Sequence, residues 1–600
     1  MSVVNEKLPV WDLEAIYKTP EDWEKEFEKI RPVTEKFAAF KGKLGESAET
    51  LKKAVESSLE LNRLTEKLYI YAHLTLDQAT GVDSSRARMG KLHSLLAELA
   101  PQEAYFVPEL LRIPEEKMDE FLKAPCLAFC RRFLEEILSE RTHVLSEAEE
   151  KLLGSYSQVI GLSSTLFDTL NDTDLEFGYI RDGEGQRVKL THGSYRALME
   201  NPDRGTRERT CKKLYKAYRQ FRNTFASALD GTVRRHAVKA KVRNYPNALC
   251  AALNGDRVPE SVYRSLIEAV HSKLPGFYNY MELRKQVMKL DKLDMYDMLN
   301  PLLPGCSQNY SFEEAAQLVK DAVKPMGEEY GKYLELAFKE RWIDAPERQG
   351  KRSGAFSSGC YDTFPYVLMT YKGTLNDVFT LAHELGHSMH SYYSKITQPY
   401  IYSDYKIFVA EVASTTNEIL LFEHLLSQSS DPRFRAYLYA HIADEIRGTI
   451  YRQTMFAEFE LFMHETVEQG TPLTADLLNK RYYELNKLYY GPAVDPLKDI
   501  ELEWARIPHF HYNFYVYKYA TGMSAALKLA RNLRSGKPEL REAYLGFLKA
   551  GCSKDVLDIM KDAGVDLSTP EPVTAALDYF AEVVECLKKE LRLCGEIQQL

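Results

Sequence analysis

The chain has 600 residues, of which 45% are hydrophobic and 28% charged, and its formal net charge is −9 at pH 7. This composition is typical of a folded globular protein and excludes a largely disordered chain. The acidic balance argues against a general nucleic-acid binder, because phosphate binding depends on clustered Lys and Arg. We therefore expect no nucleic-acid partner.

The N-terminal segment and the cysteines bear on the cellular compartment. Residues 1–17 carry three acidic side chains where an export signal needs a basic region followed by an apolar one. The apolar runs elsewhere stop far short of the ~20 residues that cross a bilayer. The nine cysteines are odd in number and include no C-x-x-C pair, which is typical of reduced thiols. We therefore predict a cytoplasmic protein without a membrane span.

Helical periodicity dominates the chain from its first element. Thr19 is a suitable N-cap, and Pro20 occupies the first helical position. Trp23, Phe27 and Ile30 then recur at the spacing of one helix face. Similar patterns predict helices within residues 46–80, 85–111, 145–170, 204–240, 258–287, 310–338 and 405–600. The predicted fold class is therefore mainly α.

Two short stretches favour β-structure. Residues 175–180 and 186–190 are β-prone and flank an Asp-Gly-Glu-Gly turn, which predicts a surface hairpin. Residues 366–371 are aromatic and β-branched and precede Gly373, which predicts a strand leading into a helix. Because no Gly/Ser-rich or Pro-rich linker interrupts the chain, we expect one large body with closely packed subdomains.

The helix that follows the strand carries the most informative residues. Thr374 can cap it and Asp377 favours its positive end, which predicts a helix over about residues 375–394. Within it, the sequence HELGH places His383 and His387 one turn apart on the same face. One metal ion can bind both imidazoles at this spacing.

Zinc suits this pattern, because neutral imidazole is a good zinc ligand and a catalytic site uses three protein ligands with one position left for water. Glu384, beside the first histidine, can act as the general base that takes a proton from that water. A metzincin would place Gly at position 390 and a third His ligand at position 393. This chain has His and Tyr there, so the metzincin pattern is excluded. Glu411, in an apolar helical stretch 24 residues past His387, is the candidate third ligand.

Two further side chains are candidates for orienting the ligands. Glu418 lies seven residues after Glu411 and faces the same way, so it can accept a hydrogen bond from a ligand imidazole. His390, seven residues after His383, also faces inward. We predict that both side chains contact the metal ligands on the side away from the metal and hold the ligands in their orientation.

These segments resemble a known family. Residues 354–359, GAFSSG, and residues 379–391, FTLAHELGHSMHS, are similar to oligoendopeptidase F of the thimet-oligopeptidase (M3) family of zinc peptidases. The resemblance covers nearly the whole chain and implies a mostly helical, two-lobed zincin-type body around a deep channel, with one zinc ion per chain. It maps the zinc ligands onto His383, His387 and Glu411 and the general base onto Glu384.

The resemblance also implies a division of the chain and a set of substrate-facing residues. The family carries a histidine and tyrosines on a C-terminal helix over the site, where such donors can stabilise a developing oxyanion. The candidates are His509, Tyr512, Tyr515 and Tyr519; His511 departs from the family pattern, so which histidine faces the substrate stays open. The expected regions are an N-terminal helical region (1–115), an oligopeptidase F-type domain with the hairpin (116–204) and an M3-type catalytic domain (205–600).

A peptide backbone can add to an exposed sheet edge through main-chain hydrogen bonds. Residues 366–371 are the expected edge, with Tyr366, Tyr371 and Gly359 as substrate-binding candidates. The predicted function is a zinc-dependent endopeptidase for short oligopeptides. A zinc carboxypeptidase of similar build stays open, as does a non-catalytic peptide-binding protein, although the latter has no need for Glu384.

Overall fold

A computed structural model describes residues 8–303 and 308–598, and these residues are mostly helical. The 26 α-helices among them are α1 Pro20–Phe27, α2 Ile30–Ala38, α3 Ala48–Gln78, α4 Asp83–Glu103, α5 Phe106–Arg112, α6 Glu115–Lys123, α7 Arg131–Ser139, α8 Glu147–Ile160, α9 Leu162–Thr169, α10 His192–Met199, α11 Arg204–Gln220, α12 Arg222–Val242, α13 Ala248–Leu253, α14 Glu260–Ser272, α15 Leu274–Val287, α16 Phe312–Ala322, α17 Glu328–Lys339, α18 Leu375–Thr397, α19 Ile407–Gln428, α20 Pro432–Ile446, α21 Arg452–Glu468, α22 Ala475–Tyr490, α23 Tyr517–Arg534, α24 Pro538–Lys549, α25 Val556–Asp562 and α26 Glu571–Leu593. The prediction of a mainly α fold is confirmed.

The chain divides into two compact units. The first takes the described residues of Met1–Thr142, Ser307–Leu421 and Leu529–Gly564. The second takes those of His143–Cys306, Phe422–Lys528 and Val565–Leu600. Within the described part of the chain, we find no helix with both the length and the apolar character that a membrane crossing requires.

The first helix forms for the reasons that its sequence predicts. The Thr19 side chain accepts a hydrogen bond from the Asp22 N–H, and Pro20 stands at the helix start. Trp23 is fully buried, and its indole N–H donates to the Leu68 carbonyl at 3.0 Å. Its ring stacks on Phe27 at 5.1 Å between centroids. The predicted amphipathic face therefore lies in the core of the first unit.

The few strands form two small sheets. The predicted hairpin is present, with β1 (Tyr179–Arg181) antiparallel to β2 (Arg187–Lys189). The second sheet has the order β3-β5-β4, from strands β3 (Ile343–Asp344), β4 (Phe356–Ser358) and β5 (Tyr366–Leu368). The predicted strand is therefore central, between parallel β3 and antiparallel β4. The prediction that it forms the open edge was wrong, because non-local pairing covers both of its sides.

Helix α18 begins at the predicted cap. The Thr374 side chain accepts from the Asp377 N–H, and the Asp377 carboxylate accepts from the Thr374 N–H at 2.9 Å. Gly373 precedes the cap with φ +81°, a conformation that side-chain-bearing residues rarely adopt. The turn from β5 into α18 is thereby set by local chemistry, and it carries the HELGH segment into the interior of the first unit.

Candidate metal centre and active site

Three side chains from two helices converge in the first unit. His383 and His387 lie on α18, and Glu411 lies in the first turn and a half of α19. The two Nε2 atoms are 3.1 Å apart, and each is 3.4 Å from Oε2 of Glu411. We call these three atoms the donor triangle.

The donor triangle has the dimensions of one face of a metal tetrahedron. Zinc bonds of ~2.0 to 2.1 Å at tetrahedral angles place neighbouring donors ~3.3 Å apart. The observed separations of 3.1 and 3.4 Å bracket this value. The three residues therefore form a candidate metal site whose nitrogen and carboxylate donors fit zinc.

The charges around the triangle also favour a cation. Burial raises the pKa of Glu411, but hydrogen bonds from His383 and His387 outweigh it and hold the pKa below its ordinary value. Burial lowers the pKa of His383, but its bonds to Glu411 and Glu418 outweigh it and raise the pKa to about 10. The cluster therefore favours a positive charge on the His383 imidazole, next to the atoms that would bind a metal ion.

Glu418 contacts the far side of the first histidine. Its Oε1 forms a short contact with Nδ1 of His383. A carboxylate at this atom favours the tautomer with hydrogen on Nδ1, which leaves Nε2 free to bind a metal. The structure thus brings Glu418 to the position expected of a ligand-orienting acid.

Glu384 lies between the two histidines in the sequence, and it is buried. Burial raises the pKa of its carboxyl group above the ordinary value, although His383 and His387 pull it down. Its Oε2 atom is buried without a hydrogen-bond partner among the described residues. A buried carboxylate oxygen without a partner is costly. Such an oxygen is available for a proton from a molecule in the site.

Gly386, which the sequence analysis passed over, sets the distance between α18 and α19. A Cβ atom at this position would lie 2.5 Å from Cα of Ser414 and 2.9 Å from the Ala413 carbonyl oxygen. No side chain fits there, so the two helix backbones meet at this point. This close approach brings Glu411 within reach of the histidines.

Asn417 is a second residue that the sequence analysis missed. It is fully buried on α19, and its amide donates to the Ala382 carbonyl of α18 at 3.0 Å. The Tyr330 hydroxyl donates to its Oδ1 at 3.0 Å. This bridge fixes the register of the two ligand-bearing helices. A polar residue within an apolar helical stretch was the available signal.

Comparison with known proteins identifies the family. The sequence model of "Peptidase family M3" matches residues 197–579, and that of "Oligopeptidase F" matches residues 109–177. The chain belongs to peptidase family M3. It is 43% identical to oligopeptidase PepF of Bacillus subtilis over 583 residues, which cover 97% of this chain and 87% of that protein. It is 40% identical to the group B oligopeptidase PepB of Streptococcus agalactiae over 573 residues, 95% of each chain.

Solved structures give the same result. Oligoendopeptidase-F of Enterococcus faecium has a TM-score of 0.75 at 38% identity, covering 96% of this chain and 99% of that one. A peptidase of Chlamydophila abortus has a TM-score of 0.91 at 34% identity, covering 97% and 98%. The resemblance to oligoendopeptidase F is confirmed. This M3 peptidase is therefore a metallo-endopeptidase.

The C-terminal histidine and tyrosines of the M3 peptidase lie in its second unit. His509 is in a short 3-10 helix, Pro508–His511, and its ring contacts those of Tyr512, Tyr515 and Tyr519 at centroid distances of 5.5, 6.2 and 6.0 Å. The Tyr519 hydroxyl is 3.5 Å from His509 Nε2. The structure brings these four together, but only Tyr519 is on a long helix, α23. The prediction of one C-terminal helix was wrong here, because the chain turns before Tyr517.

His511 and His390 take up different positions from these. His511 is buried against the Phe167 ring at 4.3 Å, with its Nδ1 3.0 Å from the Thr232 hydroxyl. His390 is stacked on Tyr405 at 3.8 Å and also contacts Phe547. Burial lowers the pKa of His390 to about 3, so its ring is neutral and serves as a packing group. None of its described ring contacts or hydrogen bonds reaches the donor triangle, contrary to the expected ligand-supporting role.

The three substrate-binding candidates near the sheet are held by protein contacts. The Tyr366 hydroxyl donates to the Asp12 carbonyl at 2.9 Å, and the Tyr371 hydroxyl is 3.0 Å from the Tyr310 carbonyl. Both side chains are buried, which corrects the expectation that they line a substrate surface. Gly359 is exposed, and a Cβ atom there would lie 2.7 Å from the Phe364 carbonyl oxygen. The close packing of the loop therefore accounts for a glycine at this position.

Proposed function

We propose that this chain is a zinc-dependent endopeptidase that hydrolyses internal bonds of short oligopeptides. One zinc ion would be held by His383, His387 and Glu411, with Glu384 as the general base. The observation that carries the proposal is the donor triangle beside a buried glutamate whose Oε2 has no hydrogen-bond partner among the described residues. A bound zinc ion would lower the pKa of a water molecule and polarise the scissile carbonyl.

Glu384 supplies the proton transfers. Its unbonded Oε2 can accept a proton from the attacking water, and the same carboxyl group can then donate that proton to the leaving amine. The raised pKa of Glu384 supports both transfers, because a group that titrates closer to neutral pH exchanges protons more readily. Glu418 holds His383 in the tautomer that presents Nε2.

The remaining groups would bind and orient the peptide. We propose that His509 and the neighbouring Tyr512, Tyr515 and Tyr519 donate to the developing oxyanion. The edge for an added peptide strand is β4 instead of β5. The Ser357 hydroxyl of β4 lies 2.9 Å from the Ser388 hydroxyl of α18, one residue past His387, which ties this edge to the ligand helix.

A cytoplasmic setting is part of the proposal, supported by the eight described cysteines, which are all free thiols. The predicted division into residues 1–115, 116–204 and 205–600 also remains a proposal.

The test uses zinc-loaded protein and quenched fluorogenic peptides of graded length. Glu384→Gln is expected to abolish hydrolysis while it keeps stoichiometric metal, because the donor triangle is unchanged. Glu411→Ala is expected to lose the metal. Glu335→Gln, the same substitution on an exposed side chain of α17, is the control and should retain both.

Mass-spectrometric mapping of the products distinguishes the alternatives. Internal cuts with an upper size limit are expected of the endopeptidase. Sequential removal of C-terminal residues would instead favour the hypothesis of a zinc carboxypeptidase. Substantial hydrolysis by metal-replete Glu384→Gln protein would reject Glu384 as the base.

A further inference from the structure

Two consecutive residues in the second unit adopt a left-handed backbone. Asn513 has φ 58° and Phe514 has φ 60°, between the 3-10 helix of His509 and the start of α23. The other positive-φ residues with side chains in the described chain are isolated. This conformation costs roughly 1 to 2 kcal/mol for an ordinary side chain such as that of Phe514, whereas asparagine adopts it more readily. Strained backbone of this kind persists where the surrounding contacts enforce it, and it clusters at functional sites.

The contacts that enforce this turn centre on Phe514. Its side chain is 1% exposed, and its ring lies 4.2 Å from that of His464 and 5.4 Å from that of Tyr263. Its backbone N–H donates to Oε1 of Glu460 at 2.6 Å. Glu460 is on α21 and is fully buried. The turn is therefore fixed by the hydrogen bond to the Glu460 carboxyl oxygen and by the packing of the Phe514 ring against two other rings.

The anchored residue sits between the side chains that contact His509. Tyr512 is 57% exposed, whereas Phe514, two residues later, points into the core. Tyr515 then contacts both His509 and Tyr519, with its ring 5.4 Å from that of Tyr519. Because Phe514 is flanked by these tyrosines, a shift of its backbone moves Tyr512 and Tyr515 relative to His509.

We propose that Glu460 is a positioning residue, which sets the geometry of the His509, Tyr512 and Tyr515 cluster by holding the Phe514 N–H. This inference rests on the proposed function, since the cluster is there assigned to the oxyanion. Glu460 itself does not touch the substrate.

A carboxyl group at this buried position is otherwise hard to explain. Its second oxygen, Oε2, is buried with no hydrogen-bond partner among the described residues. Burial raises the pKa of Glu460 to about 8. The neighbouring His464 uses its Nδ1 on the Glu460 backbone carbonyl and its Nε2 on His236, so it does not pair with the carboxyl group. The bond to Phe514 is the one described role of the side chain.

The experiment compares Glu460→Leu with Glu460→Gln in the zinc-loaded full chain. Leucine removes the acceptor, whereas glutamine keeps an oxygen that can accept from the Phe514 N–H. Tyr263→Phe is the matched control: it removes a buried hydrogen bond to the Ala457 carbonyl of the same helix but keeps the ring against Phe514. Each variant is assayed at the same interval below its own unfolding midpoint.

We expect Glu460→Leu to lower kcat by about 10- to 100-fold, the loss typical of a group displaced by about 1 Å. KM should change by less than about threefold, because an oxyanion donor acts mainly in the transition state. Glu460→Gln and Tyr263→Phe should stay within about threefold of wild-type kcat. Hydrogen–deuterium exchange of fragments covering residues 508–516 should accelerate in the leucine variant alone.

Three results would overturn the inference: exchange unchanged in Glu460→Leu, kcat unchanged despite faster exchange, or an equal loss of kcat in Glu460→Gln or Tyr263→Phe. Failure of the proposed function has a different signature. If Glu384→Gln hydrolyses peptides as the wild type does, the base assignment fails, while the exchange measurement still decides whether Glu460 holds the turn.

Discussion

Replacing Gly386 by alanine is expected to impair the metal centre without altering any donor side chain. The added Cβ would lie 2.5 Å from Cα of Ser414. Carbon atoms in contact are normally ~3.5 to 4.0 Å apart, so α19 must move away from α18 by about 1 Å. The donor triangle must keep its metal distances within about 0.2 Å. A shift of about 1 Å therefore takes Glu411 out of bonding range.

The expected magnitudes follow from this displacement. Overpacking should cost about 1 to 3 kcal/mol of unfolding free energy. Zinc affinity should fall at least as much as on loss of a ligand-orienting group, about 10- to 100-fold. Competition with a chromogenic zinc chelator measures the affinity, and thermal unfolding of metal-free protein measures the stability. Hydrolysis at limiting zinc should fall in parallel.

Gly331→Ala is the matched control. Gly331 lies within α17 of the same unit, and a Cβ there would meet no atom within 4 Å. Alanine should stabilise this helix by up to about 1 kcal/mol and leave zinc affinity unchanged. If Gly386→Ala protein bound zinc as tightly as the wild type, the close helix approach would not be what places Glu411.

Three other outcomes are expected. Glu418→Ala should weaken zinc binding about 10- to 100-fold, because His383 loses the carboxylate that selects its tautomer, and the chelator assay measures this. Tyr366→Phe should lower the free energy of unfolding in urea by about 1 kcal/mol, because the hydroxyl loses its hydrogen bond to the Asp12 carbonyl. An increased KM in this variant would contradict the conclusion that Tyr366 is a buried structural residue. Because the pKa of Glu460 is raised from 4.5 to about 8, the folded state retains a proton that the unfolded chain releases, so stability falls as pH rises through this window. Glu460→Gln should flatten that fall, about 1.4 kcal/mol per pH unit, in unfolding curves at pH 5 and 8; identical slopes in both proteins would refute it.

Local sequence determines the elements that carry the site. The cap formed by Thr374 and Asp377 starts α18 where the pattern predicts, and the i, i+4 spacing alone puts His383 and His387 on one face. The hairpin follows equally from its turn chemistry. These features depend on residues within one or two turns of each other, so periodicity and capping rules are sufficient.

Only the tertiary structure decides which distant groups complete the site. Glu411 reaches the histidines because α18 and α19 touch at Gly386, a contact invisible in the helical pattern of either segment. Strand β5 is central because β3, which is distant from it in the sequence, pairs with its second side. The left-handed turn at Asn513 and Phe514 replaces the predicted helix, because burial of the Phe514 ring and its bond to Glu460 outweigh local preference. In each case the deciding energy comes from packing between segments far apart in the chain.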